Sequence, residues 1–311
     1  MQIKNDWVKK GVIFNPTNLS DWIFSHAYIP TPILFDDEMI RIFVAFRDAQ
    51  GIGRVGYVDV SAQDPTQIIS VSEKPCLDIG LPGTFDDNGV TPISIVNDNG
   101  KLHLYYVGWQ LSDKVRYFLF AGLATSTDMG RSFTRVKNVP ILDRTDKEFL
   151  VRTAPSVFKR NNTWHMVYSG GGTNAIIDNK LVPCYSLKYL ESRDGISWSM
   201  QSQEVLTPDV KSEYGFGRPC LHYEDHIYKM WYSIRRFDKK YTIGYAESED
   251  LKKWTRLDHQ LDLFTYVLES YEDEMQAFAA VIKTNYGNYI FYNGNDFGKT
   301  GICFAVQNSV Y

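Results

Sequence analysis

The sequence predicts an all-β protein: a five-bladed β-propeller of four-stranded antiparallel blades, built as one domain over residues 1–311. Three observations predict it. A strand-turn-strand pattern recurs five times at about sixty residues, the signature of a repeat architecture. Aromatic residues, which favour strands, make up 14% of the chain. No segment carries a long helical period.

The repeat begins with a small or polar residue, usually followed by proline, and then an apolar strand. After a turn comes a second strand rich in aromatics. Thr31-Pro32-Ile33-Leu34 leads to Ile42-Phe43-Val44-Ala45, and Thr91-Pro92-Ile93-Ser94 to Leu104-Tyr105-Tyr106. Ala154-Pro155-Ser156-Val157 leads to Met166-Val167-Tyr168-Ser169, and Arg218-Pro219-Cys220-Leu221 to Met230-Trp231-Tyr232-Ser233. The fifth unit runs from Phe278-Ala279-Ala280-Val281 to Ile290-Phe291-Tyr292-Asn293. Anchors at residues 32, 92, 155, 219 and 279 give steps of 60, 63, 64 and 60 residues.

A third strand follows in each unit, as in Gly53-Arg54-Val55-Gly56-Tyr57 and Thr242-Ile243-Gly244-Tyr245-Ala246. Then comes a turn with Asp, as at Asp128, Asp194 and Asp250. Such residues suit tight hairpins. An aromatic such as Phe133, Trp198 or Trp254 opens the fourth strand. The fifth unit has only three strands before the chain ends. The segment Trp7–Phe14 resembles a fourth strand and is expected to close the ring against the C-terminal blade. Closure removes an exposed sheet edge.

Composition narrows the function. Net charge is −4, so no basic field exists to hold nucleic acid. No apolar run reaches the length of a membrane span. Met1–Asp6 has no apolar h-region, so no secretory leader is expected. The four cysteines form no C-x-x-C pair and are expected to be reduced thiols in a cytoplasmic protein. The histidines have no metal-ligand spacing, and no metal or cofactor is expected.

In a propeller, the loops entering the inner strands and leaving the second strands share one face. Six residues before the anchors stand His26, Asp86, Glu213 and Asp273; five before stand Asp87 and Glu274; three before stands Arg152; one before stands Arg218. The second strands end at Arg47-Asp48, Trp109, Arg235 and Asn295. Converging carboxylates suit glycosidic bond cleavage, in which one is protonated and another ionised. The arginines suit an anionic sugar, a phosphate or a sugar nucleotide, and Trp109 a sugar ring. His103 and His165 share a second-strand register with Arg41, Lys229 and Tyr289, which points to architecture.

These residues resemble a known group. Ser25-His26-Ala27, Phe46-Arg47-Asp48, Phe85-Asp86-Asp87-Asn88-Gly89, Gly217-Arg218-Pro219 with Met230-Trp231-Tyr232-Ser233, and Tyr292-Asn293-Gly294-Asn295 are similar to motifs of five-bladed propeller glycosidases. These are glycoside hydrolase families 32, 43, 68 and 130. The nearest likeness is to a bacterial group associated with polysaccharide biosynthesis. The resemblance spans nearly the whole chain. It implies a glycoside hydrolase or related glycosyl-transferring enzyme acting on bacterial surface polysaccharide or its precursors.

The convergence of carboxylates points to Asp87 or Asp86 as base or transition-state stabiliser, Glu213 as general acid and Glu274 as a further acid/base or hydroxyl ligand; the resemblance itself matches Asp86 or Asp87 to the blade-2 Asp of those enzymes and Glu213 only loosely to their acid. Binding falls to His26, Arg47, Asp48, Trp109, Arg152, Arg218, Arg235, Asp273 and Asn295. Two departures keep alternatives open. The blade-1 Asp of families 32 and 43 is missing at Ser25–Pro30, and Arg218 stands where their acid Glu is found. The alternatives are a non-catalytic glycan or sugar-nucleotide binder, and an inverting phosphorylase that uses one carboxylic acid with basic residues on phosphate.

Overall fold

A computed structural model describes residues 7–238, 240–261 and 268–307. Met1–Asp6, read above for a leader, lies outside them. The regular secondary structure of the described chain is all strand, apart from a 3-10 turn at Asp258–Gln260 and a short helical turn at Asn295–Gly298. No described helix is long and apolar enough to cross a membrane.

In chain order, β1 is Trp7–Phe14, and a first set of strands follows: β2 (Ser25–Phe35), β3 (Met39–Arg47), β4 (Gly53–Ser61) and β5 (Ile68–Val71). The second set is β6 (Val90–Asp98), β7 (Lys101–Leu111), β8 (Tyr117–Ser126) and β9 (Thr134–Arg135). The third is β10 (Val151–Arg160), β11 (Thr163–Ile177), β12 (Lys180–Ser192) and β13 (Gln203–Leu206). The fourth is β14 (Glu213–Glu224), β15 (Ile227–Arg236), β16 (Thr242–Ser248) and β17 (Thr255–Arg256). The last strands are β18 (Ala277–Thr284), β19 (Gly287–Asn293) and β20 (Ile302–Gln307), and β1 pairs antiparallel with β20.

Within each set, neighbouring strands pair antiparallel in sequence order. The sets are not all separate sheets. Short parallel bridges join β8 to β10 and β12 to β14, so the second, third and fourth sets form one twelve-stranded sheet.

The second strands are buried on both faces, which explains their continuous apolar runs. Successive side chains point to opposite faces, so each strand feeds two cores. Leu104 and Tyr106 of β7 pack with Phe43 and Val55 of the first set, whereas Tyr105 packs with Met166 and Tyr168 of the third. Val167 packs with Phe216 and Met230, and Trp231 with Ile290 and Tyr292. Phe291 and Phe304 of the last set pack with Ile42, Val44 and Phe46 of the first. Asn293 reinforces that contact, since its Oδ1 accepts from Ile29 N at 2.8 Å and its Nδ2 donates to Ala27 O at 2.9 Å.

The Asp turns are built as expected. Asp194 Oδ1 accepts from Ile196 N and Ser197 N, each at 2.8 Å, and Asp250 Oδ1 from Lys252 N and Lys253 N. Among the described residues no group of three or more His, Cys, Asp or Glu is arranged to hold a metal, and the four cysteines are free thiols.

Candidate functional site

The first strand of every set carries a β-bulge. Ile29-Pro30, Ala154-Pro155, Arg218-Pro219 and Phe278-Ala279 each lie opposite one residue of the second strand, and Ile93 is the extra residue in β6. A bulge leaves a backbone position out of the ladder, and proline, which has no N–H, fits there. The register thus makes Pro30, Ile93, Pro155, Pro219 and Ala279 equivalent. Pro32 and Pro92, taken as anchors from the sequence, are displaced from this set.

The bulge residues also share one cavity. Ile29, Ala154, Arg218 and Phe278 adopt positive φ, and all four line a cavity of about 90 Å³. Trp109, Tyr117, Tyr185 and Tyr241 line it as well. A second cavity, of about 340 Å³, lies among Tyr28, Arg47, Gln50, Asn88, Trp109 and neighbouring backbone. Trp109 lines both cavities. Its indole N–H donates to Thr91 Oγ1 at 2.9 Å, and its ring meets Tyr117 edge-on at 5.1 Å.

Arg47 lies over the Tyr28 ring at 4.8 Å and its Nη1 donates to His26 Nε2 at 3.3 Å. His26 therefore carries its proton on Nδ1, which faces Ser25 Oγ at 2.9 Å. Burial, then Arg47 and Lys299, pull the His26 pKa down to about 4 against a smaller opposing pull from Asp296. The ring is neutral at pH 7.

Two carboxylates expected to be catalytic are instead enclosed. Asp86 is fully buried; its Oδ2 accepts from Arg135 Nε at 2.7 Å and Tyr106 OH at 2.9 Å, and its Oδ1 from Thr84 Oγ1. Buried Glu213 takes Arg256 bidentately at 2.8 and 3.0 Å and accepts from Asp209 N. Glu148 and Glu272 repeat the arrangement: Glu148 with Tyr168, Arg152 and Lys188, and Glu272 with Tyr292 and Lys9. A carboxylate, a second-strand tyrosine and a cation thus recur from set to set. In the fourth set Tyr232 reaches Asp258, which shares Arg256 with Glu213. Repetition marks this as architecture, and neither Asp86 nor Glu213 has an oxygen free for a ligand.

The remaining expected residues divide. Arg152, expected to bind substrate, is buried on Glu148 at 2.7 Å. Asp48 closes a turn by accepting from Gln50 N and Ile52 N, and it pairs with Arg54. Asn295 accepts from Glu274 N and Met275 N and donates to Asp273 Oδ1 at 2.7 Å. Exposed Glu274 pairs with Lys240. Arg235 is buried over the rings of Tyr214 and Tyr185, at 4.4 and 4.6 Å, and donates to Pro183 O. Arg218 donates to the carbonyls of Ala279 and Pro30 and, at 3.4 Å, to Thr31 Oγ1. Burial pulls its pKa below the usual arginine range.

Asp87 is different. Its Oδ2 accepts from Gly83 N at 2.8 Å, while its Oδ1 is buried without a partner. It is joined in sequence to Asn88, which lines the larger cavity. Tyr28, Asn88, Tyr117, Tyr185 and Tyr241 also line the cavities but were not singled out from the sequence. Tyr28 follows the quoted Ser25-His26-Ala27, and Asn88 lies inside the quoted Phe85–Gly89 motif. Tyr117, Tyr185 and Tyr241, in or just before third strands, carry no signal above the general aromatic richness.

The fold is shared with solved glycoside hydrolases. A structure described as "Glycoside hydrolase" matches 97% of this chain and 92% of its own with a TM-score of 0.71 at 19% identity. A glycosyl hydrolase from Bacteroides ovatus matches 94% and 90% with a TM-score of 0.69 at 16% identity. A thermostable family-43 glycoside hydrolase matches 90% and 88% with a TM-score of 0.65 at 14% identity. At these identities the likeness is one of fold. No known protein-family model matches the sequence. Two Mycobacterium tuberculosis sequences, "Uncharacterized protein MT1551" and "Uncharacterized protein Rv1502", are each 30% identical over 307 residues, covering 96% of this chain and 98% of theirs. The chain belongs to the family of these mycobacterial proteins.

Proposed function

We propose that the protein is a carbohydrate-active, glycosidase-like propeller whose five four-stranded sets are the blades of one closed ring. A sugar ring stacks on Trp109 at the channel mouth. The observation that supports this reading is the placement of Trp109 between two cavities, with Arg47, Asn88 and Tyr28 around the larger. An indole face takes the apolar face of a pyranose, while guanidinium, amide and phenol groups bond its hydroxyls. Asp87 is the acid/base carboxylate, because it alone of the four carboxylates first considered keeps a buried oxygen with no partner. The mycobacterial relatives support a bacterial setting, and with it a surface polysaccharide or its precursor as the source of the sugar. The four free thiols support a cytoplasmic location.

A second reading is a glycan-binding protein without turnover. It is favoured by one observation: no carboxylate lines either cavity. The test is product analysis by mass spectrometry. Wild type and Asp87→Asn are incubated with oligosaccharides, aryl glycosides and nucleotide sugars, with and without phosphate. Turnover by wild type alone supports the enzyme and its acid; turnover by both removes Asp87 from the mechanism. Binding without turnover selects the second reading.

A further inference from the structure

We infer that the channel beside Trp109 contains an oxyanion site, in which Arg218 receives the carboxylate or phosphate group of the ligand. The inference rests on the sugar reading above and names the class of sugar: an acid or a phosphate ester.

The argument is one of charge balance. Among the described residues four arginines are deeply buried: Arg41, Arg152, Arg218 and Arg235. Arg41 is held by Asp59 at 2.7 and 2.8 Å, and Arg152 by Glu148 at 2.7 Å. The half-buried Arg54, Arg135 and Arg256 also have carboxylate partners. Arg218 and Arg235 form no ion pair with any described carboxylate. Arg47, at the mouth, forms none either.

These three unpaired cations lie on or beside the two cavities that Trp109 borders. Arg47 lines the larger cavity and Arg218 the smaller, while Arg235 packs on Tyr185 and Tyr241, two rings of the smaller cavity's wall. In a chain of net charge −4, this is a local reversal of sign. Taking a charge out of water is costly unless another charge meets it. The carbonyls on Arg218 satisfy donors but bring no charge, and its Nε is buried without a partner. An oxyanion supplies both what the donors and what the charge lack, and a planar carboxylate or a phosphate matches the guanidinium fork. Burial keeps Tyr185 and Tyr117 in the neutral phenol form, as further donors.

The sizes agree. The cavity of about 90 Å³ beside Arg218 is the smaller of the two and takes the acid group. The larger cavity of about 340 Å³ has room for the ring. Trp109 borders both.

The test is calorimetry on the full chain with matched ligands. Methyl glycosides of glucuronate and galacturonate are compared with their neutral counterparts, with glucose 6-phosphate and with inorganic phosphate alone. At least tenfold tighter binding of an acid or phosphate ester than of its neutral counterpart is expected, and Arg218→Gln should abolish the preference. Arg218 also bonds to β2 and β18, so Arg47→Gln serves as a second variant, with an expected threefold or greater loss of preference. Equal binding of neutral and acidic sugars overturns the oxyanion site and leaves the sugar reading standing. Phosphate binding as tight as any sugar, and unchanged in Trp109→Ala, upholds the oxyanion site with phosphate as the source and removes the sugar reading. No binding by any ligand overturns both.

Discussion

Glu213 holds the guanidinium of Arg256 bidentately at 2.8 and 3.0 Å, with the carboxylate buried and the arginine reaching in from the outer strand. This pair ties the entrance of an inner strand to the edge of its own sheet. Removing one partner of a buried pair leaves a charge without compensation, which costs about 3 kcal/mol or more. Arg256→Ala should lower unfolding free energy by about that amount, measured by urea denaturation. Glu213→Gln should keep the ability to bind sugar, measured by calorimetry. Loss of binding in a fully folded Glu213→Gln would return Glu213 to the site.

Trp109→Ala should weaken sugar binding about tenfold, or about 1.4 kcal/mol. The indole is only half-buried, so the fold should survive and thermal unfolding should shift by a few degrees at most. Unchanged affinity would move the sugar away from the cavity pair.

His26 gives a pH dependence. Its folded pKa of about 4 lies below the ordinary 6.5, so the unfolded chain binds more protons between those values. Stability therefore rises with pH across that window, and is lost as pH falls from about 6.5 towards 4. In His26→Gln the slope over this range should be smaller. An imidazole titration followed by NMR should have its midpoint near 4, and a midpoint near 6.5 would contradict the burial and the Arg47 contact.

Gly122 and Gly244 lie under the second-strand tyrosines. A Cβ at Gly122 would stand 2.6 Å from Tyr106 Cε1, and one at Gly244 2.6 Å from Tyr232 Cε2. Gly122→Ala should cost roughly 1–3 kcal/mol by overpacking. Pairing it with Tyr106→Leu should recover part of that loss in a double-mutant cycle. Additive losses would show that the ring is not what the glycine accommodates.

Much of this was legible in the sequence, and the exceptions have physical causes. The recurring strands could be read because each second strand is buried on both faces, which forces apolar runs such as Ile42–Phe46 and Met230–Tyr232. The Asp turns could be read because their bonds are local. The buried carboxylates could not. Asp86 and Glu213 stand six residues before their anchors, but Glu148 and Glu272 stand seven before. The repeat was hidden by one residue, and two of its members looked like isolated site residues. Their partners Arg135 and Arg256 come from the outer strand, tens of residues away, and no local pattern links them.

By itself the sequence determined the all-β repeat and the turn chemistry, because periodicity and turn bonding are properties of neighbouring residues. Tertiary structure alone decided which charges are cancelled. Asp86, Glu213 and Arg152 are closed by partners from other strands, while Arg47, Arg218, Arg235 and Asp87 are left without opposite charges. That division depends on distances of a few ångströms between distant parts of the chain, and Coulomb interaction is settled by those distances rather than by residue type.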